Sequence, residues 1–133
     1  MHRPSTSRRV LLGGGLLLLA GCATGSESEQ TSDFVLFFTA QSASLDAPAV
    51  GILDAAAAAA RAAPHGRVIV AGYADRVGTP QANQILSRLR AQVVADGLVE
   101  RGVDRARVRL RARGATGADP GVESRRVEIL IGV

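Results

Sequence analysis

The order of patterns along the chain predicts an α/β fold: a two-layer sandwich, β-α-β-α-β-β, with helices on one face of a mixed sheet. Three observations carry this. An alanine-rich run, "DAPAVGILDAAAAAARAA" (Asp46–Ala63), lies between two short runs of strand formers. A second helical run follows at about Pro80–Glu100, with apolar residues at helical spacing. Further on, "RVRLRARG" alternates strictly between arginine and apolar or small residues, the period of a strand with one wet face.

The globular part begins at about Asp33. "FVLFF" (Phe34–Phe38) reads as a short buried strand. Asp46 then suits the N-cap of the first helix, with Pro48 in the first turn, where its missing N–H costs nothing. Val50, Leu53, Ala57 and Ala60 share one helical face, and alanine is the best helix former. Pro64 and Gly66 end the helix. "RVIVAGYA" (Arg67–Ala74) is rich in β-formers and reads as a central strand. Gly72 and Gly78 bracket a loop around Asp75. In the second helix Ile85, Leu89 and Val93, flanked by Leu86, Val94 and Leu98, form the expected core stripe, and Gly102 is the expected C′ residue. In "RVRLRARG" (Arg107–Gly114) Val108, Leu110 and Ala112 point inward. In "RRVEILIG" (Arg125–Gly132) Val127, Ile129 and Ile131 share one side and Leu130 falls on the other. About 100 residues suffice for one modest core.

The N-terminus is excluded from the fold. "MHRPSTSRRVLLGGGLLLLAGC" has a basic start, an apolar run from Val10 to Ala20 and a small-residue exit, the order of a secretory signal peptide. The apolar run is about half the ~20 residues a membrane-spanning helix needs. "LAGC" (Leu19–Cys22) resembles the bacterial lipobox, where the cysteine is acylated and becomes the first mature residue. The resemblance implies a signal over residues 1–21 and a lipid on Cys22, the one cysteine of the chain. Ala23 stands where aspartate retains lipoproteins in the inner membrane, so the expected destination is the outer membrane. "SRRVLL" also resembles a twin-arginine export signal, and the export route stays open between that and a plain basic n-region. Residues 22–32 form the lipidated cysteine and a small, polar tether that holds the domain ~15–20 Å from its anchor on average.

All 16 basic residues are arginine, and the net charge is +4. Arg3, Arg8 and Arg9 leave with the signal, so 13 arginines face 12 acidic residues in the mature chain, a balance of +1. With only 3% aromatic residues, this argues against a nucleic-acid partner. His2 leaves with the signal and His65 sits at a helix-ending turn, so no His/Cys cluster suggests a metal, and no second carboxylate stands near Asp75. Neither a cofactor nor an enzymatic activity is expected.

Three stretches resemble the OmpA-like peptidoglycan-binding domain. They are "FTAQSASLD" (Phe38–Asp46), "GYADRVGTPQANQILSRLRAQVV" (Gly72–Val94) and "RRVEI" (Arg125–Ile129). The resemblance implies binding to the diaminopimelate of peptidoglycan stem peptides. The free end of meso-diaminopimelate carries an ammonium and a carboxylate on one carbon. Asp75 suits the first and Arg90, with its planar fork, suits the second. Asn83 and Arg90 stack two turns apart on one helix face, and Asn83 is expected to position the loop. Arg125 and Arg126 lie in the closing stretch, and Arg126 is the one expected to approach the site, with Gly72 and Gly78 in support. Ala74 and Ser124 depart from the family pattern, which more often has threonine and asparagine there. The expected function is an outer-membrane lipoprotein with a periplasmic domain that tethers membrane to wall. The alternative is an OmpA-like domain that has lost wall binding and serves as an interaction module for envelope proteins of Tol type.

Overall fold

The computed structural model describes residues 33–116 and 121–133. The signal, Cys22 and the tether lie outside the described residues. The elements follow the expected order: β1 (Phe34–Phe37), α1 (Ala47–Ala62), β2 (Val68–Ala74), α2 (Pro80–Glu100), β3 (Val108–Ala115) and β4 (Arg126–Ile131). Single 3-10 turns at Arg105–Arg107 and Val122–Ser124 precede the last two strands.

The strands form one mixed sheet in the order β1-β4-β2-β3. β2 and β3 run parallel across the α2 crossover, whereas β4 lies antiparallel between β1 and β2. Leu53, Ala57 and Ala60 of α1 and Val94 and Leu98 of α2 share a core with Leu36, Val68, Val70, Val127 and Ile129. Both helices therefore cover the same face. No helix among the described residues is long and apolar enough to cross a membrane.

α1 starts as its sequence dictates. The Asp46 side chain accepts the Ala49 N–H at 2.9 Å, and Pro48 sits in the first turn. Leu53, Ala57 and Ala60 are buried with Ala49 and Ala56, while Val50 is half-buried.

α2 has the expected bounds but a different inner face. Ile85 and Leu89, expected in the core, are 61% and 51% exposed. The face on the sheet is Asn83, Ser87, Arg90, Ala91, Val94, Ala95 and Leu98. The reason is the spacing of the two layers. A Cβ on Gly72 of β2 would stand 2.0 Å from the Ser87 carbonyl oxygen, so the helix backbone lies directly on the strand. Small side chains face that contact, and bulky ones have no room there. The helix then closes in a Schellman motif: Gly102, at φ 91°, donates to the Val99 carbonyl, and Val103 donates to that of Leu98.

The outer strands also differ from expectation. β1 is an edge strand, not a buried one: Leu36 and the following Phe38 face the core, but Phe37 is exposed. In β3, Val108 is buried, Ala112 is half-buried and Leu110 is exposed, because α2 covers this other edge incompletely. β4 alternates as expected, with Val127 and Ile129 buried.

Candidate functional site

β1 and β2 both oppose β4, so they share a direction, and β3 follows β2. The carboxyl ends of three strands and the start of β4 therefore meet at one edge of the sheet, where ligands of open α/β sheets bind. Asp75, Arg90 and Arg125 converge there.

Asp75 follows β2 directly and is 4% exposed. Its Oδ1 accepts the Val77 N–H at 3.0 Å, an Asx turn that shapes the loop. Its Oδ2 stands 3.5 Å from Arg125 Nη1. Gly78 closes the loop at φ 93°, a left-handed conformation that glycine adopts at no steric cost. Thr79 then caps α2, its Oγ1 accepting the Ala82 N–H at 3.1 Å.

Arg90 has no exposed surface. Its Nε donates to Ser42 O at 2.8 Å, Nη1 to Tyr73 O at 3.0 Å and Nη2 to Thr39 O at 3.0 Å. Its guanidinium also lies 5.3 Å from the centre of the Phe38 ring. Two of these carbonyls straddle Gln41, which sits at φ 55° in the left-handed region, a conformation costing about 1–3 kcal/mol outside glycine. Arg90 thus holds the β1–α1 loop in a strained turn and ties it to the end of β2. Burial lowers the Arg90 pKa, while the Asp75 charge raises it. A guanidinium starts so high that it stays cationic.

The expected pair is thus gathered in one place, coupled through its charges, while Asp75 takes its ion pair from Arg125. Arg126 is a correction. It points to the open face of the sheet, with Nε 2.8 Å from Glu128 Oε1 and its guanidinium 4.0 Å from the centre of the Tyr73 ring. Arg126 opens β4 on the side away from the buried Val127, whereas Arg125 precedes the strand, at φ −103° and ψ 66°, and faces the loops. Asn83 is buried one turn into α2. Gly72 is the contact that seats α2 on β2. Ser87 pins the same helix to β3: its hydroxyl accepts the Gly114 N–H at 3.0 Å and donates to Gln84 O. Ser124 is buried and accepts from the Thr116 hydroxyl at 3.0 Å, bridging the flanks of the β3–β4 connection. Thr39 and Ser42 enter the cluster only through their carbonyls, which no side-chain pattern reveals. Among the described residues no three His, Cys, Asp or Glu gather as a metal site.

Comparison with known proteins agrees with the fold. The OmpA family matches residues 37–126, from the end of β1 to the start of β4. The chain is 46% identical over 55 residues to "Outer membrane protein A" of Klebsiella aerogenes, covering 41% of this chain and only 15% of that protein. It is 28% identical over 113 residues to the "Peptidoglycan-associated lipoprotein" of Pasteurella multocida, covering 74% of this chain and 75% of that one. Its fold matches the crystal structure of the peptidoglycan-associated lipoprotein from Burkholderia pseudomallei with a TM-score of 0.68 at 23% identity, over 73% of this chain and 88% of the other. The matched family region contains the whole charged cluster, and the chain belongs to the OmpA family.

Proposed function

We propose that this chain is a non-catalytic domain that binds peptidoglycan, and that Asp75 and Arg90 receive the free zwitterionic end of meso-diaminopimelate. The observation that carries the reading is a carboxylate and a guanidinium, both buried at the sheet edge and coupled through their charges. Two relatives named for association with peptidoglycan support it.

The geometry suggests how binding would proceed. Asp75 Oδ1 is committed to its loop, but Oδ2 holds Arg125 at a loose 3.5 Å. An arriving ammonium competes with Arg125 for Oδ2. Arg90 spends three of its five N–H donors on carbonyls, which leaves two for a carboxylate. Reaching them requires the Thr39–Ser42 loop to move aside. In our reading the domain sits in the periplasm, held at the outer membrane by a lipid on Cys22, and many weak sites along the wall act together.

Purified sacculi test the site. Asp75→Asn keeps the loop acceptor and removes the charge, so pull-down should drop at least tenfold, as expected when one partner of a buried charge pair is truncated. Undiminished binding would sink the assignment. Cys22→Ser should move the protein from the membrane fraction to the soluble periplasm. A second reading, a domain that has lost wall binding and contacts envelope proteins of Tol type, draws on Arg125 already neutralising Asp75. Sacculus binding absent from the unaltered protein, with a protein partner recovered by cross-linking, would favour it.

A further inference from the structure

The helices cover one face of the sheet and leave the other open. On the open face β3 presents Arg109, Arg111 and Arg113 at alternate positions, and β4 presents Arg126 and Glu128. Arg111 and Arg113 are exposed, and neither makes a hydrogen bond or ion pair with a described residue. Arg109 is exposed as well, its Nη1 donating to the Ala106 and Val108 carbonyls. Glu128 is already neutralised: it lies 2.8 Å from Arg126 Nε and accepts the Tyr73 hydroxyl at 3.2 Å. Four arginines against one glutamate give the strands of this face a balance of +3. The mature chain balances at +1, so its remaining side chains together carry −2. The positive charge is thus gathered on one plane.

The same plane is apolar between its charges. Phe37 of the opposite edge strand is 43% exposed, and Ile69 and Leu130 are half-buried. A notch of about 340 Å³ lies between the Arg111–Arg113 side and the Glu128–Leu130 side, over Ala71 of the strand between them. Like charges oppose a second copy seated on this face, and the apolar residues beside the arginines favour a lipid surface over an acidic peptide. The chain enters β1 at Phe34, at the sheet end opposite Asp75. Residues 22–32 separate that end from Cys22, a span of ~40 Å at most when extended. A lipid on Cys22 keeps the domain within that distance of a phospholipid surface.

We propose that the open sheet face lies on an anionic phospholipid surface. Arg109, Arg111 and Arg113 take headgroup phosphates, for which the guanidinium fork is suited, and Phe37 and Leu130 meet the acyl boundary. The proposal rests on the anchor reading for its setting, because the lipid supplies the proximity. With the strands lying in the membrane plane, the edge that carries Asp75 points along the surface and stays open to a ligand. The face by itself binds weakly and acts on a domain that the anchor already holds nearby.

The test is sedimentation of residues 22–133, unacylated and carrying Cys22→Ser, with two kinds of vesicle. One contains phosphatidylethanolamine and phosphatidylglycerol, the other phosphatidylcholine alone. The protein should pellet with the anionic vesicles at low salt, stay in solution with the neutral ones, and be released at ~0.5 M salt. Each arginine at such a surface contributes about fivefold. Arg111→Gln and Arg113→Gln together should therefore reduce partitioning about 25-fold, with unchanged circular dichroism. Arg88→Gln, exposed on α2, should leave partitioning as it is. Equal partitioning onto both kinds of vesicle, or full binding by the double variant, would overturn the proposal. No vesicle binding, with an acidic protein captured only when Arg111 and Arg113 are present, overturns it in favour of a protein partner. The protein tested carries no lipid, so its result judges the face alone. Fractionation of the intact chain judges the anchor separately.

Discussion

At the scale of single residues, Arg90 holds the β1–α1 loop, and the proposed ligand role would compete with that task. It is the largest fully buried side chain described, and it donates to three backbone carbonyls, those of Thr39, Ser42 and Tyr73. Arg90→Lys keeps a charge but cannot span three acceptors from one nitrogen, so it should lower stability by about 3 kcal/mol in urea unfolding. Asp75→Asn should lose wall binding with little change in stability. The two variants therefore separate the fold's need for the arginine from the ligand's need for the acid. Tyr73 supplies a pH signature. Burial first, then the Glu128 charge and the 3.2 Å hydrogen bond to it, raise its pKa above the usual tyrosine value. A raised folded value means the stabilisation is complete below pH ~10 and is lost as pH climbs through that folded value. The melting temperature should fall above pH ~10 in the unaltered protein and fall less in Tyr73→Phe.

At the scale of elements, α2 teaches the most. Periodicity alone selected Ile85, Leu89 and Val93 with Leu86, Val94 and Leu98 beside them; Val94 and Leu98 are buried, but toward the helix start Asn83, Ser87, Arg90 and Ala91 face inward where Ile85 and Leu89 were expected. A helix seated on a strand through a glycine selects side chains by size and by hydrogen-bond partners as well as by hydropathy. Ile85→Glu or Leu89→Glu should change stability by less than about 0.5 kcal/mol, whereas Leu98→Ala should cost about 2–5 kcal/mol in the same unfolding assay. Gly72→Ala should cost about 3 kcal/mol, because the Ser87 carbonyl must retreat from the new methyl and carry the helix with it. α1 behaved differently: its cap, proline and alanine face were all legible, since each is a local preference. Arg125 and Arg126 show the limit of local reading. The alternation of β4 was visible in the sequence, but which arginine faces the loops depends on which side the helices cover.

At the scale of the whole molecule, one continuous core joins both helices to the four-stranded sheet, so the fragment 33–133 should unfold with one urea transition by both tyrosine fluorescence and circular dichroism. The position of the site follows from topology. Inserting β4 between β1 and β2 brings Arg125 beside the loops that leave both neighbouring strands. The sequence by itself determined the α/β class, the element order, the helix ends and the family motif around Asp75 and Arg90, because propensities, caps and turns act over a few residues. Only the tertiary structure decided that Arg90 is wholly enclosed and that Arg125 is the partner of Asp75. Burial and polar contacts join residues fifty or more positions apart, such as Arg90 with Thr39 and Arg125 with Phe38, and no short-range pattern carries that information.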